Sequence, residues 1–258
     1  MYMMRVAEDR TLDVEGTPLT DEQRVVTLNN GWNSIAYLLD EPMPVREALA
    51  DYYDKATIGD VVKSKDAVAV FSENGKWEGS LQTMRPGQGY LFLRLAGETT
   101  TMRYILTPSG YNAPGRGRSK DMPLFTNPAA SANMTLVAAL PETEGLQEVE
   151  VYVQDELAAV AAPQVIDGDT LYFITVQSDH VGQPLTFRTA DGEYLTVQPQ
   201  ADQMAYGQIA NEPNAHYGTL RKPVLLVPTT DKVYKIIENN HIVIIKNNEK
   251  YDVTGRKL

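Results

Sequence analysis

The sequence predicts a mainly β protein: two β domains, the first with one short helix, followed by a small C-terminal β meander. Three observations lead there. Short apolar or alternating runs bounded by Gly, Pro, Asn and Asp recur along the chain, as strands separated by turns do. Turn dipeptides such as Asn74-Gly75 and Pro86-Gly87 fall between those runs. Clear helical spacing occurs in one segment alone, near residue 45.

In the first domain, 1–108, strand signals lie at Arg24–Leu28, Ser34–Leu39, Ala67–Phe71, Tyr90–Leu95 and Met102–Leu106. In PMPVREALADYYDKA, Val45, Ala48, Leu49 and Tyr52 fall at i, i+3, i+4 and i+7, and Pro44 suits a first helical turn. That spacing predicts a helix of about three turns. Asn74-Gly75 predicts a hairpin pairing AVAVFSE with KWEGSL. Pro86 and Gly87 fit the central positions of a type II turn, after which Tyr90 enters a strand.

Residues 109–121, SGYNAPGRGRSKD, carry almost no core formers and read as a linker. The second domain, 122–205, is expected to be an immunoglobulin-like or jelly-roll-like sandwich. Its strand signals are Met134–Leu140, Val149–Gln154, Leu171–Gln177, Leu185–Thr189 and Tyr194–Gln198. Residues 206–229 begin without periodicity and read as an extended surface connection. In 230–258, Ile236–Ile237, Ile242–Ile245 and Tyr251–Val253 alternate with Asn-rich turns, a meander pattern.

Composition narrows the function classes. With 43% hydrophobic and 22% charged residues, the 258-residue chain is globular and can build real cores. A formal charge of −11 repels phosphate backbones and anionic lipid, so nucleic acid is not an expected partner. No apolar run approaches a membrane span, so membrane insertion is not expected either. Cysteine is absent, which excludes disulfides, thiolate nucleophiles and Cys-based metal sites. The start, MYMMRVAEDR, lacks the pattern of a signal peptide. YMMRVAEDRTL near the start also echoes YLFLRLAGETTT at 90–101, where the tyrosine follows PGQG. The chain is therefore expected to be a fragment with domains ahead of it.

Chemistry-bearing residues are sparse. His180, His216 and His241 lie in different regions, none at a metal-pair spacing, and read as surface or turn residues. No G-x-S-x-G elbow or P-loop is present, and no cofactor is expected. Asp167 and Asp169 flank Gly168 and are weak calcium candidates, but a calcium site needs six or more oxygens and a hairpin turn is the favoured reading. Trp32, Trp77, Tyr37 and Tyr90 sit beside glycines and would serve a carbohydrate-binding module if their rings were exposed. The favoured alternative places both indoles in the core with their N–H groups bonded locally. Asn133-Met134-Thr135 matches a glycosylation sequon, though Met134 begins an apolar strand.

Three segments resemble modules of secreted and surface proteins of Bacteroidetes. VTLNNGWNSIAY, EALADYY, GDVVKSKDAVAVF, GKWEGSL and MRPGQGYLF resemble, in order, one β module over most of 25–95. Residues 133–195 are similar to a β-sandwich module with a V-x-x-F-V-G-D-E-C-R-G corner; here Leu157-Ala158-Ala159 replace Cys-Arg-Gly. NNHIVIIKNNEKYDVTGRKL resembles short C-terminal modules related to sorting signals for type IX secretion. The resemblance implies export and tandem non-catalytic domains, with a protein or glycan partner at the cell surface. The expected function is thus a non-catalytic surface protein in adhesion, display or an accessory role, and the alternative is carbohydrate binding. A hydrolase would need two carboxylates converging in a cleft between the domains.

Overall fold

The computed structural model describes residues 15–105, 124–141, 147–198, 208–229, 233–238, 241–246 and 249–254, with Glu8, Thr11, Asp13 and Arg256. The protein is mainly β, with one short α-helix and one short 3-10 helix among the described residues. The expected linker at 109–121 and the first copy of the echoed segment lie almost wholly outside the described residues. No helix among the described residues is long and apolar enough to cross a membrane.

In the first β unit the strands are β1 (Val25–Leu28), β2 (Gly31–Ala36), β3 (Met43–Pro44), β4 (Val61–Lys63), β5 (Val68–Phe71), β6 (Trp77–Gly79), β7 (Thr83–Met84), β8 (Gly89–Arg94) and β9 (Thr100–Arg103). An antiparallel sheet runs in the order β2-β8-β4-β5-β6, with β1-β9 and β3-β7 as separate pairs. The helix α1 (Val45–Ala48) is one turn long, and Ala50–Lys55 continues it as a 3-10 helix, so the three-turn α-helix is corrected. Leu49, at φ −102° and ψ 15°, ends the α geometry. The tighter turn stacks Leu49 and Tyr52 on one face, both fully buried, and lets the Tyr52 hydroxyl donate to Asp60 Oδ2 at 2.8 Å.

The turns follow their residues. Gly75 takes a positive φ after a turn closed by Gly75 N–H to the Ser72 carbonyl, and Phe71 pairs with Trp77 across the hairpin. Arg85 to Gln88 forms the Pro86-Gly87 turn, with Gly87 at φ 75° where a side chain is strained.

The second unit contains β10 (Asn133–Ala139), β11 (Val149–Val153), β12 (Glu156–Ala161), β13 (Pro163–Ile166), β14 (Asp169–Gln177), β15 (Leu185–Thr189), β16 (Tyr194–Val197), β17 (His216–Tyr217) and β18 (Val224–Pro228). One sheet runs β12-β11-β15-β16-β18-β10-β14-β13 and curls over itself as a sandwich. The two ends of that order, β12 and β13, are separated in sequence by Ala162 alone. Met134, Leu136, Val151, Ile174, Phe187 and Leu226 are among the side chains filling the space between its halves. The surface connection expected over 206–229 is corrected: β18 lies in the middle of the sheet, antiparallel to β16 and parallel to β10. Its apolar run VLLVP supplies Val224 and Leu226 to the core, which a surface path would leave wet.

β19 (Val233–Glu238), β20 (His241–Lys246) and β21 (Glu249–Tyr251) form the antiparallel meander. Asp252 follows it and accepts hydrogen bonds from Thr254 and Arg256 backbone N–H groups and the Thr254 hydroxyl. Those bonds, led by Thr254, hold its carboxyl below the usual range.

The two units share a third apolar cluster. Val61, Val68 and Val70 on the first sheet meet Val137, Leu171 and Phe173 from β10 and β14. Both β10 and β14 are therefore covered on two faces, which is why NMTLVAA and LYFITVQ read as near-continuous apolar runs and not as alternation. Gly79, at φ 143°, makes the approach possible: a Cβ there would lie 2.3 Å from the Val68 carbonyl oxygen and 3.1 Å from Phe173.

Candidate functional site

Alternation along β2 decides what the first sheet offers the second unit. Asn33 and Ile35 point into the first core, while Trp32 and Ser34 stand exposed on the opposite face. Across the strands, Ser34 aligns with Leu91, Leu91 with Lys63, and Lys63 with Val68. At Val68 this face is docked on the second unit; at Ser34 it is free. Between those limits lies a cleft of about 400 Å³, lined by Ser34, Lys63, Lys65, Leu91, Asn133 and Asn214 together with neighbouring residues.

Lys63 is 1% exposed. Its Nζ donates to the Asn133 carbonyl at 3.4 Å and lies 4.9 Å from the Trp32 ring centroid. Burial pushes its pKa down to about 8, because an ammonium stripped of water is costly. His216 belongs to the same neighbourhood. Its Nδ1 lies 2.8 Å from Thr135 Oγ1, and burial, followed by the Lys63 charge, pushes its pKa down to about 4. The imidazole is neutral at pH 7.

The Asn133 amide locks the cleft wall, donating to the Ser64 carbonyl at 2.9 Å and the Lys65 carbonyl at 2.6 Å. The sequon match goes unused, as the apolar strand after it suggested: this amide is buried and engaged across the two units. Further out, Lys65 Nζ donates to the Pro128 carbonyl at 2.8 Å, Arg221 pairs with Glu73, and Asn74 donates to Asp167. That last bond ties two hairpin tips together.

The four aromatics proposed for sugar stacking do not form one surface. Trp77 is 6% exposed, packed against Phe71 and Phe92 at centroid distances of 5.2 and 5.7 Å. Tyr37 and Tyr90 are also buried, their hydroxyls donating to the Glu41 carbonyl and Gln88 Oε1. Trp32 alone is exposed, at 37%. The pairing of Trp32 with Trp77 is thus corrected, since the hydrophobic gain of burying an indole beside two phenyl rings outweighs its polar N–H. The local bond expected for the Trp77 N–H is corrected too: it is buried without an acceptor.

Asp167 and Asp169 lie at the β13-β14 hairpin, where Ile166 pairs with Asp169 and Asp167 has φ 54°. Among the described residues no three His, Asp or Glu side chains group to hold a metal. His180 is the surface residue expected, its side chain 39% exposed beside a turn and 3.2 Å from Glu156 Oε2, whereas His216, in β17 and engaged with Thr135, is not; only the backbone of His241, in β20, is described. Asp60 is fully buried and structural, accepting from Tyr52, the Thr57 N–H and the Leu95 N–H, each at 2.8 Å. A second cleft of about 690 Å³, beside Gly79, Ser80, Phe125 and Val160, has Asp66 as its one acidic lining residue.

Sequence reasoning missed Lys63, Asn133 and His216 as neighbours. Lys63 carried one usable signal, a charge directly after two valines in a strand. A different stack, Arg188 between Tyr152 and Tyr194 at 4.5 and 4.4 Å, is also readable only from strand pairing. No protein-family model, curated protein or solved structure matches this chain.

Proposed function

We propose that this chain is a non-catalytic β region of an exported surface protein, serving adhesion, display or an accessory role to domains in the same protein. The observation that carries the non-catalytic half is the employment of its conspicuous polar groups. Asp60 gathers three donors, Asn33 ties Asn29, Gly31 and Phe92, and Asn133 bridges the two units. Groups spent on such bonds are poor acids, bases or nucleophiles. The apolar weld between the units suits a stiff spacer. Export is supported by the sequence resemblances described above.

A panel of glycan, peptide and nucleotide substrates is expected to show no turnover. Turnover that survives repurification would reject the reading. Carbohydrate binding stays as a second reading because one indole, Trp32, is exposed beside a cleft. It would rest on Trp32 and the cleft, without Trp77.

A further inference from the structure

The joint between the two units is apolar at one end and basic at the other. Asn133, Thr135 and Val137 alternate onto the face of β10 that meets the first unit. Val137 belongs to the apolar weld, and the Asn133 amide bonds across to the Ser64 and Lys65 carbonyls. Thr135 lies between them and carries His216 on the same face, since β17 runs parallel to β10 with His216 beside Thr135. From the first sheet, Lys63 reaches the Asn133 carbonyl and acts on the imidazole through its charge. Opposite Thr135 on β14, the buried Thr175 hydroxyl has no partner.

The other charged groups around this end are engaged elsewhere. Lys65 donates to the Pro128 carbonyl, Asp66 accepts from Ser64 Oγ at 2.8 Å, and Glu212 accepts from the Tyr217 hydroxyl at 3.1 Å. Among the described residues no carboxylate pairs with His216 or Lys63. At pH 7 the imidazole is neutral and Lys63 is the one cation beside it. A protonated His216 would set two like charges together in a poorly hydrated place, which disfavours both.

We propose that this joint is an acid-released latch: a proton taken up by His216 sets it against Lys63 and parts the two units. The sign follows from linkage. Water returns an exposed imidazole to its ordinary 6.5, whereas in the closed joint it titrates at about 4. The open form therefore binds the proton first, and opening becomes easier as pH falls below 6.5. Lys63 stays charged throughout that range, so the acid window belongs to His216. The joint is stiff near neutrality and loose in acid. This inference goes beyond the surface-display reading and does not depend on export.

The test uses cysteine, absent from the chain, as a reporter of opening. Val137→Cys places a thiol in the joint, and Val151→Cys places one in the core of the second unit. Each full-length variant is treated with a dipyridyl disulfide, which still reacts with thiols in acid. Its labelling rate is divided by that of the same variant unfolded in urea at the same pH. From pH 7 to pH 5 the ratio for Val137→Cys is expected to rise at least about tenfold, and that for Val151→Cys to stay level. Adding His216→Gln should remove the rise while leaving in place Glu73, Asp167 and Glu78, the carboxylates at the hairpin end of the joint. Equal rises at both thiols, no rise at either, or a rise that survives His216→Gln would overturn the proposal. A second measurement changes no residue: deuterium uptake at the His216 ring carbon, read by mass spectrometry against pH. A midpoint well below 6.5 is expected, and an ordinary histidine midpoint in the closed protein would overturn the latch.

Discussion

The two faces of the five-stranded sheet solve opposite problems. The inner face presents Ile35, Val62, Ala69, Phe71, Trp77, Tyr90 and Phe92 to one closed core. The outer face is divided: Val61, Val68 and Val70 dock on the second unit, while Trp32 and Ser34 stand exposed beside the buried Lys63. The same strands supply both. The inner face shows what stability asks of a sheet, and the polar half of the outer face shows what stability would not have asked for.

The contrast breaks most visibly at its two tryptophans. Trp77→Ala should cost about 3–5 kcal/mol in denaturant unfolding, the range for a large aromatic leaving a packed core. An unchanged midpoint would mean that the inner face is not one core. The next effect is smaller and depends on pH. Lys63 holds its proton less tightly folded than unfolded, its pKa falling from 10.5 to about 8. Between those values the unfolded chain binds a proton that the folded chain lacks, so stability should rise as pH goes from 8 to 9.5. The gain should be about 1–2 kcal/mol, and Lys63→Met should remove it. The buried tyrosines, Tyr37, Tyr52 and Tyr104 among them, have pKa values raised by burial and act in the opposite sense as pH nears 10, so the difference between the unsubstituted protein and Lys63→Met isolates the lysine; His216 titrates below the window. A flat difference between the unsubstituted protein and Lys63→Met would show that Lys63 is solvated. Smallest of all, Trp32→Ala should shift stability by less than about 1 kcal/mol. A loss as large as that of Trp77→Ala would erase the distinction between the faces.

Much of this fold was legible because strands with one wet face alternate, and tight turns need particular residues. Gly89–Arg94 and Leu185–Thr189 alternate buried and partly buried positions. β12 escaped because ELAAVA is rich in alanine, a poor strand former that is nevertheless buried here at Ala158, Ala159 and Ala161. β18 escaped because a sequence shows an apolar run without showing which strands it will lie between. The helix was overlong because a 3.6-residue spacing over eight residues also fits one α turn followed by a 3-10 turn. The cleft was illegible for a different reason. Lys63 and Asn133 are 70 residues apart, and only the docking of two sheets makes one the neighbour of the other.

The position of β18 has a consequence for the chain as it emerges. Val224–Pro228 is the last strand of the sandwich in sequence, yet it fills the gap between β16 and β10. Until it arrives, those two carry raw hydrogen-bonding edges, and a chain stopped at residue 205 keeps them permanently. Such edges recruit other strands. The sandwich is closed from its middle, by its latest piece, so its assembly is postponed until residue 228 has been made.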